Sequence, residues 1–213
     1  MKINKCLFPK VSLIVLILIL ILTILLLALN SPRTHYTYSQ VVGQIKLEYP
    51  RTWSIADERL SGMTIVKSLP WDKKVRGVIV ITYGNLCQEN VDGETYVQSN
   101  WKSLTESNQQ VQGFSITDIA TYSIKEKAVY SYSYNIPLDK IAESRIADYA
   151  RDMFPSLSPK QTIQVNVVES VVNKSYVIAV FLTTFSDQKA YFEAKEIIES
   201  IDLSLFPCRL PAD

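Results

Sequence analysis

The run Val11 to Leu29, VSLIVLILILILTILLLAL, constrains this chain more than any other part of it. Ser12 and Thr23 are its only polar interruptions. As a helix rising about 1.5 Å per residue it spans roughly 28 Å, close to the ~30 Å hydrocarbon thickness of a bilayer. Lys2, Lys5 and Lys10 precede it and no acid does. The positive-inside rule then keeps residues 1–10 in the cytoplasm and sends everything after the run to the outer side. A cleaved signal peptide is the competing reading. Its apolar region is shorter, about 7 to 15 residues, and ends at small residues. Here Leu26 stands two places before Ala28, which fits cleavage poorly. The expectation is a retained, single-pass signal anchor over 11–29. With no charged residue and no GxxxG face, its expected work is tethering.

Of the 213 residues, those after the anchor suffice for one domain with a core of its own. The chain carries 22 basic and 21 acidic residues, and without the three N-terminal lysines 19 against 21 remain. Phosphate-backbone binding needs a basic excess that the outer part lacks, so nucleic acid is not an expected partner. Cys6 precedes the run, whereas Cys87 and Cys208 both follow it. In an oxidising compartment these two could pair, closing a loop worth about 4–5 kcal/mol in the chain-entropy model. Asn173-Lys174-Ser175 is a glycosylation sequon, meaningful in a host that glycosylates such proteins.

Residues 30–43, with Pro32, read as a juxtamembrane linker whose Tyr36 and Tyr38 could sit at headgroup level. Ile45 to Tyr49 alternates apolar and charged, the period of a half-buried strand, and Pro50 ends it. Trp53 is expected in the following turn. Thr64–Leu69 and Arg76–Tyr83 read as strands, the second apolar enough to be covered on both faces. Glu94–Glu106 reads as a helix with Val97, Trp101 and Leu104 on one face. Phe114–Tyr122 and Ala128–Asn135 read as strands, the second setting Tyr130, Tyr132 and Tyr134 on one side. Leu138–Met153 is expected to be one helix with Ala142, Ile146, Tyr149 and Met153 as its stripe. Thr162–Asn173 and Ser175–Phe185 form an expected hairpin about Lys174. Gln188–Asp202 is an expected last helix, with Glu193, Glu196 and Glu199 opposite its apolar side. Strands in hairpins broken by three helices predict an α+β domain with a mostly antiparallel sheet.

Two local patterns sharpen this. Ile45-Lys-Leu-Glu-Tyr-Pro-x-x-Trp53 resembles the opening strand of PsbP-like domains. The apolar strand Tyr176 to Thr184, followed by a helix ending Ile197-Ile198-Glu199-Ser200-Ile201, resembles that family's closing strand and helix. The resemblance spans most of residues 43–205. It implies an α/β/α sandwich with a central, mostly antiparallel sheet over residues 44–205, followed by a tail, 206–213. The family includes extrinsic photosystem II subunits and many extracytoplasmic proteins of bacteria and archaea. The hydrophobic anchor and the charged Leu138–Met153 helix depart from the photosynthetic type, so no calcium or manganese residue carries over.

Chemistry is sparse in the sequence. His35 is the only histidine and lies in the expected linker, away from any domain core. Serine or cysteine nucleophile systems need a base within reach, and zinc needs a fuller ligand set. No P-loop or GxGxxG occurs. Asp57-Glu58 and Asp92-Gly93-Glu94 are the nearest carboxylate pairs, and both are expected in turns. No cofactor is expected. The Tyr130, Tyr132, Tyr134 row, with Tyr149 nearby on the helix, either lines a surface for a ligand or partner or packs beneath a helix. The expectation is a membrane-tethered, extracytoplasmic, non-enzymatic binding or accessory domain that engages a protein partner or envelope complex. A small-ligand or lipid-binding domain with an aromatic cleft is the alternative, and a carboxylate hydrolase a third.

Overall fold

The computed structural model describes residues 7–39, 42–69, 72–86, 91–124, 126–141, 144–172, 174–184 and 187–205. Helix α1 (Leu7–Asn30) contains the whole apolar run. Its side chains are described from Leu13 to Ala28, sixteen residues, and all are exposed. Among the described residues no helix is long and apolar enough to cross a membrane.

Two antiparallel sheets follow. The smaller has the order β1-β2-β11, from β1 (Arg33–Ser39), β2 (Gly43–Tyr49) and β11 (Asp202–Leu205). The larger runs from β3 (Trp53–Arg59) through β4 (Gly62–Leu69) and β5 (Asp72–Asn85) to β10 (Ser175–Thr183), β9 (Thr162–Val172) and β8 (Lys127–Pro137). At its far edge β6 (Ser115–Ile116) and β7 (Ala120–Ile124) both pair with β8. The central strands β5 and β10 are apolar on both faces because both faces are covered. On one side lie α2 (Gly93–Asn108) and α3 (Ser144–Met153), on the other α4 (Gln188–Ser200) and the smaller sheet.

Two cores result. The first gathers Ile45 and Leu47 of β2, Ile79 and Ile81 of β5, and Ala194 and Ile197 of α4. The second packs Val78, Val80, Val165 and Val167 against Ile146 and Ala150 of α3. Lys174 closes the β9–β10 hairpin with φ +64°, as its expected turn position requires. Gly62 packs so closely on β5 that a Cβ there would lie 2.4 Å from the Ile81 carbonyl oxygen.

Several expectations are corrected. The stretch 30–43 is not a linker throughout, because β1 pairs with β2 over its full length, Arg33 opposite Tyr49 to Ser39 opposite Gly43. Its inward positions are Thr37 and Ser39, both buried, so no apolar alternation marks it. The sheet is not single: β11, where the last helix was expected to continue to Asp202, joins β2 instead. Trp53 is not in a turn but starts a strand, where it is buried, and Asp57-Glu58 lie within that strand rather than in a turn. Phe114–Tyr122 is not one strand but β6 and β7. Leu138–Met153 breaks into a 3-10 turn (Leu138–Lys140) and α3, with Ile141 extended between them at ψ 117°. Leu138 and Ile141 are both buried, a spacing of three that a 3-10 turn serves where an α-helix would drift.

Candidate functional site: a crevice along the last helix

Helix α4 is capped by Asp187, whose carboxylate accepts the Ala190 N–H at 2.9 Å. Burial would raise the Asp187 pKa, but that backbone bond and Lys67 outweigh it, so its carboxyl titrates below the usual range. Of the glutamates expected opposite the apolar side of this helix, Glu196 is exposed and Glu199 half-buried, but Glu193 is not solvated. Glu193 is 7% exposed. Its carboxylate accepts the Trp53 indole N–H at 2.9 Å and pairs with Lys67, itself buried, at 2.9 Å. Lys67 also reaches Asp187 at 3.2 Å. Buried charges are tolerated when each has partners, and this cluster fixes α4 to β3 and β4. At the other end Ser200 accepts the Glu48 N–H at 2.8 Å, pinning the helix to β2.

Held at both ends, α4 leaves a crevice between its flank and strands β7 to β9. Tyr191, Lys195 and Glu199, spaced by four, line its length in turn. The end near Tyr191 is a cavity of about 320 Å³ with a polar floor: Ser131 and Ser133 of β8, Gln164 and Asn166 of β9. Strand alternation puts all four on one face of the sheet. Gln164 donates to the Ser133 hydroxyl at 3.1 Å. Aromatic rings form the walls, Phe181 lying 5.6 Å from Tyr191 between centroids. The Lys195 ammonium stands 5.0 Å from the Tyr122 ring. The Tyr122 hydroxyl is buried with no hydrogen-bond partner among the described residues. Burial, with Glu199 adding, pushes its pKa up to about 12.

The other end is a cavity of about 240 Å³ walled by Val129, Val172, Val177, Ile198 and Leu203. Val168 lines both cavities, which therefore adjoin at that side chain. An ion pair of Lys127 with Asp202, at 2.9 Å, and the Glu199 carboxylate line this end too. Among the described residues no histidine or cysteine lines either cavity. Among the described residues no group of three or more histidine, cysteine, aspartate or glutamate side chains could hold a metal ion. The crevice offers rings, amides, hydroxyls and an apolar chamber: means of holding a molecule.

The residues singled out in the sequence lie mostly elsewhere. Tyr130, Tyr132 and Tyr134 are buried, the last two within the core beneath α2 and α3. The Tyr132 hydroxyl donates to Glu169 at 2.7 Å, and Asn100 of α2 donates to the other oxygen at 2.9 Å. Burial raises the Glu169 pKa against the pull of these two bonds, and it drives that of Tyr132 far up. Tyr149 sits half-buried on α3. His35 is part of the fold, its Nε2 3.2 Å from Glu58, which also accepts from Thr37. Asp57 pairs with Arg59, and Asp92 caps α2 through the Thr95 N–H at 2.9 Å. Cys87, Cys208 and Asn173 lie outside the described residues. The crevice itself escaped sequence reasoning, since its residues come from β7, β8, β9, β10, β11 and α4. The one local signal was Tyr191-x-x-x-Lys195, an aromatic and a cation on one flank.

No family model matches the chain, and comparison with curated proteins finds no relative. Solved structures do show a likeness. The solution structure of cyanobacterial PsbP (CyanoP) from Synechocystis sp. PCC 6803 is 7% identical, with 82% of this chain and 94% of that one covered at a TM-score of 0.53. The crystal structure of LpqN, involved in cell envelope biogenesis of Mycobacterium tuberculosis, is 12% identical, with 82% and 92% covered at 0.50. At such identities the likeness is one of architecture, and the architecture of this chain is PsbP-like.

Proposed function

We propose that this protein is a membrane-tethered extracytoplasmic domain that works by binding, not catalysis, and assists a protein partner or complex of the cell envelope. The observation that carries the reading is the junction of α1 with the domain. The 24-residue helix α1 ends at Asn30, and the first domain strand begins at Arg33. Such a helix is about 36 Å long, and its described side chains find no cover in the domain. With two residues between them, the domain is held at the bilayer surface, where a partner would meet it. The α4 crevice, with rings, amides and hydroxyls beside a mostly apolar chamber, supports binding.

The test is twofold. Membranes carrying the full chain are washed in alkaline carbonate and treated with protease from the outside. Retention in the pellet with loss of the domain is the expected result, and release by carbonate overturns the tether. In-cell crosslinking is then expected to trap a reproducible protein partner on the domain, and repeated failure to trap one counts against the accessory role.

The crevice favours a second reading, in which the bound molecule is small. It holds a mostly apolar chamber and a polar, aromatic-walled chamber side by side. This is the architecture of ligand sites, a mostly apolar cavity with a few placed polar groups.

A further inference from the structure

We propose that the α4 crevice binds a single-chain amphiphile with an uncharged, hydroxyl-rich head, its chain in the apolar chamber and its head on the polar floor. This inference rests on the binding-domain reading and specifies what the second form of it would hold.

The first ground is the division of the crevice. Its two chambers adjoin at Val168, and the proposed molecule would pass that side chain from one to the other. The valine-lined end, at about 240 Å³, exceeds the ~150 Å³ of an apolar cavity that accommodates benzene. At roughly 30 Å³ per small group, the liquid-volume share of one water, it takes on the order of eight chain carbons. A wholly apolar ligand would leave the amides and hydroxyls of the other end facing hydrocarbon, and a wholly polar one would leave the valines in water.

The second ground is the chemistry of the floor. Ser131, Ser133, Gln164 and Asn166 are uncharged and offer both donors and acceptors, the mixture a hydroxyl group needs. Asp118 and Lys195, one of each sign, are the only ionisable side chains there besides tyrosines. No arginine lines either chamber, so the forked donors that hold a phosphate or carboxylate bidentately are missing from the site.

The third ground is Tyr122. Its hydroxyl is buried without a partner among the described residues, a costly state for a polar group, while its ring stands beside Lys195 along the polar end. A head hydroxyl reaching this point would satisfy it. Tyr122 and Tyr191 provide the flat rings against which a sugar or polyol face packs.

The test uses the full chain in lipid nanodiscs and, as probe, octyl glucoside carrying a photoreactive diazirine at the end of its chain. After irradiation, mass spectrometry maps the labelled residues. Labelling is expected at Val172, Ile198 and Leu203, reduced at least fivefold by excess unlabelled octyl glucoside and less than twofold by octyl phosphate or free glucose. Filling the chamber with Val172→Phe, or removing a floor amide with Asn166→Leu, is expected to cut labelling at least fivefold. Both variants are checked for unchanged thermal unfolding, and either one folded decides the point. Labelling confined to α1, equal displacement by octyl phosphate, or undiminished labelling in a folded variant overturns the proposal. None of these outcomes bears on carbonate extraction or partner crosslinking, so the proposed tether and accessory role stand or fall separately.

Discussion

The indole N–H of Trp53 donates to the buried carboxylate of Glu193 across 2.9 Å, joining the first strand of the large sheet to the last helix, 140 residues on. The same carboxylate meets Lys67 at 2.9 Å, so one side chain satisfies a neutral donor and a cation together. Replacing it with alanine orphans the indole and leaves Lys67 to Asp187 alone. Glu193→Ala is therefore expected to cost about 3–5 kcal/mol, as breaking a buried pair does, and Glu193→Gln less, since the amide oxygen still accepts from Trp53. Urea unfolding followed by circular dichroism measures both, and a glutamine variant as unstable as the alanine one contradicts the shared-acceptor role.

A different buried acid makes stability depend on pH. Glu169 is 1% exposed, receives only neutral donors from Tyr132 and Asn100, and has its pKa raised, chiefly by burial. The folded state thus holds this proton more tightly than the unfolded chain. Its favourable contribution is complete below the unfolded value of about 4.5 and is lost as pH rises through the higher folded value. Glu169→Gln keeps the shape without the charge. The variant is expected to gain stability over the parent between pH 5 and about 8 and to gain nothing at pH 4. Denaturant titrations across that range check it, and a gain that is flat with pH contradicts it.

The close approach of β4 to β5 at Gly62 leaves no room for a methyl group. A Cβ would meet the Ile81 carbonyl oxygen at 2.4 Å, and a backbone atom inside a paired sheet cannot turn aside as a side chain can. Gly62→Ala is expected to destabilise by about 1–3 kcal/mol or more through overpacking, read as a lowered denaturation midpoint.

Helix α3 has only ten residues, too few to persist without tertiary packing. Ile146, fully buried against the second core, is its anchor. Ile146→Ala is expected to cost about 2–5 kcal/mol. Amide hydrogen exchange in α3 should accelerate more than in α4, which lies on the opposite face of the sheet.

Those predictions draw on features of unequal legibility. Strand β2 showed itself because Ile45, Leu47 and Tyr49 alternate with Gln44, Lys46 and Glu48, so burial follows the period of the pleat. Strand β10 showed itself because both of its faces are apolar. Strand β1 could not, because its inward side chains are Thr37 and Ser39 and its place is set by pairing with β2. The buried role of Glu193 was hidden for a related reason. A glutamate on a helix reads as solvated until Lys67, more than a hundred residues away in sequence, is brought beside it. The tyrosine row was visible as a row, but which layer covers it depends on α2 and α3. The crevice along α4 is the extreme case. Ser131, Asn166 and Lys195 become neighbours only through the order of the strands.

Strand β2 is flanked by the first and the last strands of the domain, with Arg33 set against Tyr49 on one side and Asp202 against Lys46 on the other. This has a consequence for the order of assembly. A chain made from its N-terminus exposes β1 and β2 early, yet β2 keeps an open edge until the residues of β11 arrive, more than 150 positions later. Such distant pairing is slow to form, and an unpaired strand edge invites pairing with another chain. The layer that follows α1 is thus the first to be synthesised and the last to be closed, and shortening the chain before Asp202 would leave that edge exposed for good.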